Sequence, residues 1–316
     1  MFRHCFRHQI QLGFPALSLC VVVFATNSHA QKPEAGNDYS GSVKTIRADF
    51  QFTEGPTADD QGNLYFTDIP ANRIYKMDTD GMIAVFLEPS GHCNGLMLNG
   101  NRLLACEMDG QLKSIDLKTK KVTSLANKYN GKRFNAPNDL VIDKTGGIYF
   151  TDPRFRAPNP WPQKVEAVYY RSANGKTTRL VEDLAAPNGV IMSPDEKTLY
   201  VVPSMQKQMW AYPITSPGKI GKGRVLCELT QKKAGENRGG DGLTIDTQGN
   251  LYITMGMGIE VISPKGKSIA IIEFPQQPAN VTFGGKDRKT LYVTARKGLY
   301  SKVTNFTGHV FPGPGQ

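Results

Sequence analysis

Six segments of the chain share one order of polar and apolar positions. Each opens with a polar residue, continues into an apolar run, passes a turn and enters a strand-like segment that is usually built around Tyr. The openings are Glu54-Gly55-Pro56, Asn94-Gly95-Leu96, Asn138-Asp139-Leu140, Asn188-Gly189-Val190, Asp241-Gly242-Leu243 and Asn280-Val281. The strand cores are Leu64-Tyr65-Phe66-Thr67, Leu103-Leu104-Ala105, Ile148-Tyr149-Phe150-Thr151, Leu199-Tyr200-Val201, Leu251-Tyr252-Ile253-Thr254 and Leu291-Tyr292-Val293-Thr294. A repeat of about 40 to 50 residues made of short strands is typical of a β-propeller.

Each repeat has room for four strands. In the first repeat they are expected at residues 55–58, 63–67, 72–77 and 82–87, with turn residues between them. We therefore predict an all-β fold, a six-bladed β-propeller with four-stranded blades, over residues 43–310. The sixth repeat has a weak last strand. We expect residues 43–48, which precede the first repeat, to close the ring as the outer strand of blade 6.

The ends of the chain differ from the repeats. Residues 1–30 have a basic start, an apolar stretch too short for the ~20 residues of a membrane span, and small residues before position 31, as in a secretory signal peptide. An uncleaved anchor or a lipidated Cys20 is the alternative. Residues 31–42 are predicted to be a flexible lead-in and residues 311–316 a C-terminal tail. We expect a secreted or periplasmic protein, with no stable membrane insertion after signal cleavage.

Composition narrows the possible partners. The formal net charge is +10, but the basic residues are spread over turn-like segments and form no arginine-rich arm, so nucleic-acid binding is not expected. Cys93, Cys106 and Cys227 follow the predicted signal, and an odd number does not make a disulfide framework. A bridge between Cys93 and Cys106 and a pair of buried free thiols both remain open.

Four repeats open with an oxygen-bearing side chain: Glu54, Asn138, Asn188 and Asp241. Equivalent positions of all blades face the axis of a propeller, so these side chains would meet there. Carboxylate and amide oxygens suit a hard cation, above all Ca²⁺. Any one of the Asn and Asp residues beside Gly could instead mark a turn, although a turn does not need a glutamate. The chain has no His or Cys pair at zinc-site spacing.

The ordered set of motifs resembles the gluconolactonase, senescence-marker-protein and luciferin-regenerating-enzyme family of six-bladed propellers. The matching segments are Glu54-Gly55-Pro56, the run from Arg133 to Asp139, Phe150-Thr151-Asp152-Pro153, Pro187-Asn188-Gly189-Val190 and Gly240-Asp241-Gly242, within residues 43–304. The resemblance implies hydrolysis of lactones, or of organophosphate esters in relatives, with a divalent cation on the axis. It implies that Glu54, Asn188 and Asp241 ligate the metal. Asn138 would be a fourth ligand or would hold substrate, and Asp241 would be the catalytic general base.

The leading functional hypothesis is a monomeric, metal-dependent lactonase that acts on a small sugar lactone such as gluconolactone. Ca²⁺ is the expected cation, with Zn²⁺, Mg²⁺ and Mn²⁺ as alternatives. Asn94 and Arg133 are expected to bind substrate together with Asn138, although Asn94 could merely cap a turn and Arg133 could be a surface residue. The alternatives are hydrolysis of another ester or a phosphotriester on the same metal site, and a binding module with a structural ion. Pro153–Val165, an insertion in the third repeat, is either a lid or a passive loop.

Overall fold

The computed structural model describes residue 39 and residues 41–312. Every regular element in this part of the chain is a β-strand, and six of its sheets are the blades of a propeller. None of its elements is a helix long and apolar enough to cross a membrane. The predicted all-β, six-bladed architecture is confirmed.

The strands follow one another around the ring. Strand β1 is Lys44–Arg47. Blade 1 contains β2 (Thr53–Ala58), β3 (Leu64–Asp68), β4 (Arg73–Met77) and β5 (Ile83–Leu87). Blade 2 contains β6 (Cys93–Asn99), β7 (Arg102–Glu107), β8 (Gln111–Asp116) and β9 (Val122–Ala126). A hairpin, β10 (Lys128–Tyr129) and β11 (Lys132–Arg133), leads to blade 3. Blade 3 contains β12 (Leu140–Ile142), β13 (Ile148–Asp152), β14 (Ala167–Arg171) and β15 (Thr177–Val181).

The second half of the ring repeats this order. Blade 4 contains β16 (Pro187–Met192), β17 (Thr198–Pro203), β18 (Gln208–Ser216) and β20 (Arg224–Glu228), and β19 (Lys219–Ile220) extends β18 as a hairpin. Blade 5 contains β21 (Leu243–Ile245), β22 (Leu251–Met255), β23 (Gly258–Ile262) and β24 (Ser268–Ile272). Blade 6 contains β25 (Asn280–Gly284), β26 (Thr290–Ala295) and β27 (Gly298–Val303).

Strand β1 closes the ring. It pairs antiparallel with β27, with Lys44 opposite Ser301 and Arg47 opposite Leu299. The order of blade 6 is therefore β25-β26-β27-β1, and its outermost strand comes from the beginning of the domain. This confirms the predicted closure, and it ties the first and last blades into one sheet.

Burial follows the stacking of the blades. Every residue of β3, β13 and β22, the second strands of blades 1, 3 and 5, is buried. Both faces of such a strand are covered because each blade packs between two others. This explains why the strand cores read as continuous apolar runs rather than as an alternating pattern. The outer strands are more open, and Val85 in β5 and Val122 in β9 are exposed.

The turns after the inner strands use aspartate. Asp59 Oδ1 accepts hydrogen bonds from the backbone N–H groups of Gln61 and Asn63, at 3.0 and 2.8 Å. Asp246 in blade 5 accepts the same pair of bonds from Gln248 and Asn250. Such bonds hold the backbone of a tight turn, as the sequence predicts at both places.

Some predictions concern the ends of the chain. The predicted signal peptide, residues 1–30, lies outside the described residues, as do residues 31–38 and 40 of the lead-in and 313–316 of the tail. Within the described part of the lead-in, Tyr39 stacks on Phe306 with ring centroids 5.0 Å apart. Phe311, assigned above to the tail, is buried in the main core. Cys93 and Cys106 are buried free thiols.

Candidate functional site

The polar residue that opens each repeat lies at the inner end of a blade. In β2, β6 and β16 the pairing with the next strand shifts register at this point, between Glu54 and Thr57, between Cys93 and Leu96, and between Pro187 and Val190. Such bulges bend a strand and re-aim its side chains, and they are common beside active sites. Glu54, Asn94 and Asn188 therefore sit on irregular strand ends. Asn138 and Asp241 lie just before β12 and β21.

The glycines of the repeated motif allow neighbouring inner strands to approach closely. Gly55 has a φ of +46°, and a Cβ there would lie 2.0 Å from the carbonyl oxygen of Asn94. A Cβ at Gly189 would lie 2.5 Å from the carbonyl oxygen of Asp241 in the next blade. Any larger residue would push the blades apart at the axis.

Threonines at the ends of the second strands join adjacent blades. The Thr67 hydroxyl of blade 1 donates to the carbonyl of Asn94 in blade 2, at 3.1 Å. The Thr151 hydroxyl of blade 3 donates to the carbonyl of Asn188 in blade 4, at 2.7 Å. Because both hydroxyls are fully buried, these bonds fix the backbone of two axial residues. The recurring Thr in the strand cores was the sequence signal for this role.

One cavity of 640 Å³ opens at this end of the axis. Five of the six predicted site residues line it: Glu54, Asn94, Asn138, Asn188 and Asp241. They come from blades 1 to 5. Glu54, Asn94, Asn138 and Asn188 are buried, each with 3% of its surface exposed, and Asp241 is half-buried. The structure thus brings together residues that are almost 190 positions apart in the sequence, although their individual roles stay predictions.

Asn188 and Asp241 are directly bonded. The amide nitrogen Nδ2 of Asn188 donates to Asp241 Oδ1 at 2.6 Å and to the Ser204 hydroxyl oxygen at 3.0 Å. The Ser204 hydroxyl in turn donates to the carbonyl of Gly240 at 2.9 Å. This short chain of bonds holds the Asp241 carboxylate in place. Sequence reasoning missed Ser204 because it follows a second strand, whereas the repeated motif marks only the first.

The environment of the cavity disfavours the charged forms of the Glu54 and Asp241 carboxylates. Burial raises the pKa of Glu54 well above its ordinary value, and the negative charge of Asp241 raises it further. Burial raises the pKa of Asp241 to about 7, against the opposing effects of the Asn188 hydrogen bond and the Arg296 charge. A cation bound between the two would relieve both penalties.

The side-chain amide of Asn94 lacks hydrogen-bond partners among the described residues, apart from one weak contact. Its Oδ1 is buried and accepts no hydrogen bond, while its Nδ2 has only the Met108 sulfur at 3.9 Å. A buried polar atom without a partner is costly, and in a cavity it points to a ligand. Asn94 is therefore available to hold either a cation or a substrate oxygen.

The donors in the cavity fit a hard divalent cation. No three His, Cys, Asp or Glu side chains in the described part of the chain form a group that could hold a metal ion. The predicted set instead combines the carboxylates of Glu54 and Asp241 with the amides of Asn138 and Asn188. An all-oxygen set of this kind suits Ca²⁺ better than it suits zinc.

A narrower cavity of 250 Å³ lies next along the inner strands, lined by Gly55, Leu140 and Val281 among others. Asp139 and Asn280 face it, and Asn280 Nδ2 donates to Asp139 Oδ2 at 3.4 Å. Burial raises the pKa of Asp139 to about 7. Asn280, the polar residue that opens the sixth repeat, thus lines this cavity and not the larger one.

Arg133 does not line the larger cavity. Its guanidinium donates to the backbone carbonyls of Phe134 and Asn135, at 3.0 and 3.1 Å, and to that of Met108 at 3.4 Å. In this position the Arg133 guanidinium connects the segment that precedes β12 to blade 2. Its predicted contact with substrate stays a prediction that these bonds do not support.

The Pro153–Val165 insertion forms part of the cavity wall. Phe155 lines the cavity and is 44% exposed. Next to it, Arg156 bonds to blade 2, with Nε 3.3 Å from Asp109 Oδ1 and Nη2 3.1 Å from His92 Nε2. His92 Nδ1 lies 2.7 Å from Asp109 Oδ2, which completes a three-residue contact at the rim.

The other end of the insertion is also fixed. The side-chain amide of Gln163 donates to the carbonyls of Lys132 and Arg133, both at 2.9 Å. Gln163 N donates to Asn135 Oδ1 at 3.1 Å. The insertion is thus anchored to blade 2 at one end and to the segment around β11 at the other, as a wall of the cavity.

The fold and the site define a six-bladed propeller with an oxygen-lined axial cavity. Residues 52–297 match the SMP-30/Gluconolactonase/LRE-like region, and the chain belongs to that family. A gluconolactonase of Zymomonas mobilis is 32% identical over 285 residues, which cover 82% of this chain and 80% of the relative.

Solved structures agree. A gluconolactonase of Xanthomonas campestris aligns with a TM-score of 0.78 and 27% identity, over 85% of this chain and 91% of that one. A calcium-binding regucalcin of Agrobacterium tumefaciens aligns with a TM-score of 0.73 over 87% of this chain and 97% of that one. At 22% identity, this second likeness concerns the fold alone.

Proposed function

We propose that the protein is a Ca²⁺-dependent lactonase that hydrolyses a sugar lactone such as gluconolactone. The observation that carries the proposal is the convergence of Glu54, Asn94, Asn138, Asn188 and Asp241 on one cavity. The gluconolactonases named above support lactone hydrolysis as the reaction class. The first 30 residues support export, to the periplasm or outside the cell.

The residues of the cavity would have different roles, according to the chemistry of their side chains. Glu54, Asn138, Asn188 and Asp241 would hold the cation. When bound, the cation would polarise the lactone carbonyl and stabilise the negative charge that develops on it. Asn94, whose Oδ1 has no partner, is placed to accept a hydrogen bond from a substrate hydroxyl.

Asp241 is the general base of the proposal. Its carboxylate is held by the Asn188 amide at 2.6 Å and lines the cavity in which the lactone would lie. It would accept a proton from the attacking water, and its hydrogen bond to Asn188 keeps the carboxylate plane fixed while it does so. The Asn188 and Ser204 contacts position this base and do not themselves need to touch substrate.

The test is the hydrolysis of D-glucono-1,5-lactone in a pH-stat, with the spontaneous rate subtracted. Wild-type protein with Ca²⁺ should be active, and Asp241→Asn should lose about 10²- to 10⁴-fold in rate while it keeps the wild-type fold. Asp80→Asn, at an exposed turn, is the matched control and should keep the wild-type rate. A wild-type rate from Asp241→Asn would refute the proposed role of this carboxylate.

A further inference from the structure

The acidic and basic residues that line the larger cavity differ in how exposed they are. Glu54 is buried and Asp241 is half-buried, and these two carboxylate residues form the part of the lining that we call the floor. Three cationic residues, Lys232, Arg238 and Arg296, also line the cavity, and all three are exposed. Such a separation gives the mouth of the cavity a positive potential of its own.

Two of these cationic residues, Lys232 and Arg238, lie on the segment between β20 and β21, which the Gln231 side chain holds in place. The Gln231 side chain donates to the carbonyls of Leu229 and Arg238, at 2.8 and 3.0 Å. Its Oε1 accepts from the backbone N–H of Arg238 at 3.1 Å. The backbone that carries Lys232 and Arg238 is thus held at the mouth by three hydrogen bonds.

The third cationic residue, Arg296, is held by other residues of the cavity wall. Arg296 follows β26, and its Nη2 donates to Gln277 Oε1 at 2.6 Å. Its guanidinium lies over the Phe52 ring, 5.4 Å from the centroid. Gln277 and Phe52 both line the cavity, so this guanidinium is oriented by neutral groups in the wall.

None of the ion pairs formed by the described residues involves Lys232, Arg238 or Arg296. Glu236 is the one further acid that lines the cavity within this part of the chain. Apart from the two predicted cation ligands, the lining thus carries three basic side chains against the single carboxylate of Glu236. An anionic ligand group would supply the counter-charge that the protein leaves out.

We propose that the natural substrate is a lactone with an anionic substituent remote from its carbonyl, and that Arg238 and Arg296 bind this substituent. A carboxylate, a sulfonate and a phosphate share the required chemistry, because each presents several oxygens to a guanidinium fork. The carbonyl would lie at the floor near Asp241 and the anion at the mouth. This inference rests on the proposed lactonase activity and adds the substrate class.

The experiment compares kcat/KM for D-glucono-1,5-lactone with that for its 6-carboxylate and 6-phosphate analogues, at low and high salt. We expect the anionic lactones to be preferred about tenfold or more, with a preference that shrinks as salt is added. Arg238→Gln should reduce the ratio of anionic to neutral kcat/KM about tenfold. Lys297→Gln, next to Arg296 and outside the cavity lining, should leave the ratio at its wild-type value.

A second readout does not depend on turnover. Calorimetry should show that the ring-opened acid of the preferred lactone binds wild-type protein more tightly than gluconate does, and Arg238→Gln should remove that difference. Comparison of the carboxylate and phosphate arms identifies which anion fits better. Equal kcat/KM for neutral and anionic lactones would overturn this inference and leave the lactonase proposal intact, whereas hydrolysis of none of them would overturn the lactonase proposal itself.

Discussion

The amide of Asn188 donates to the carboxylate of Asp241 across the boundary between blades 4 and 5, with 2.6 Å between Nδ2 and Oδ1. At the same boundary the backbone N–H of Gly189 donates to the carbonyl of Asp241 at 3.1 Å. The same contacts that hold two blades together therefore position two predicted cation ligands. Asn188 and Asp241 thus contribute both to the packing of the blades and to the predicted cation site.

A double-mutant cycle measures this coupling. Asn188→Ala and Asp241→Ala should each weaken Ca²⁺ binding, measured by calorimetry. The double variant should lose less than the sum of the two, because each single change already breaks the shared bond. The expected interaction is about 0.5 to 3 kcal/mol. Losses that add to within about 0.3 kcal/mol would show that the two side chains act independently.

Ring closure predicts a large effect of a short deletion. Removing residues 43–48 deletes β1 and leaves β27 as an unpaired outer edge. It also removes Ile46, which packs against a core cluster that includes Phe50 and Leu299. We expect the melting temperature to fall by about 5 °C or more, since about 1 kcal/mol shifts it by 2 to 4 °C in a domain of this size.

The matched control for the deletion is Lys44→Ala, which keeps the strand and changes one exposed side chain. It should melt like the wild type when both are followed by circular dichroism. An unchanged melt of the deletion variant would mean that β1 contributes little to the stability of the ring.

A buried ion pair supports the segment that leads to Asn94. Lys113 Nζ lies 2.7 Å from Glu107 Oε2, and it also donates to the carbonyl of Ser90. Lys113→Met would leave the Glu107 carboxylate buried without its partner, at a cost of about 3 to 5 kcal/mol in free energy of unfolding. Urea denaturation measures this loss.

The control for the ion pair is the double variant Glu107→Gln/Lys113→Met. It removes both charges and should recover much of the lost stability, because no uncompensated charge remains. If Lys113→Met alone costs under about 1 kcal/mol, the pair does not hold this segment.

Asp152 predicts a pH dependence of stability. Burial raises its pKa from 3.8 to about 7, although its carboxylate accepts the N–H groups of Asn135 and Ala136 and faces the charges of Arg133 and Arg179. Between these two values the folded protein holds a proton that the unfolded chain has released. The stabilisation is therefore complete below about pH 4 and is lost as the pH rises through 7.

The measurement is the free energy of unfolding of wild type and of Asp152→Asn from pH 5 to 8, with Ca²⁺ present throughout. The wild-type curve should fall more steeply than that of the variant below pH 7, by up to about 1.4 kcal/mol for each pH unit. Parallel curves would show that Asp152 does not carry this dependence.

The inner strands could be predicted from the sequence because every blade of a propeller repeats the same strand pattern. Glu54 and Asp241 occupy equivalent places in their repeats, so a shared register was enough to bring them to one axis. The closing strand was predictable too, since the sixth blade lacked a partner that residues 43–48 could supply.

Other parts of the site have no repeating pattern. Ser204, Phe155 and Arg238 lie on segments that connect strands, and their lengths and sequences differ from one blade to the next. Their positions follow from tertiary contacts such as the bond from Ser204 to Gly240, which lies 36 positions further along the sequence. The motif around Arg133 suggested substrate binding, which stays a prediction, and its bonds to backbone carbonyls could not be foreseen from that motif.

The most direct test of the cation at the axis is the rate of lactone hydrolysis as a function of free Ca²⁺. Protein stripped with a chelator should be inactive, and its activity should return in full with one Ca²⁺ bound per chain. Glu54→Gln should need a higher Ca²⁺ concentration to reach half of its maximal rate. Full activity of the stripped wild-type protein in excess chelator would contradict the account.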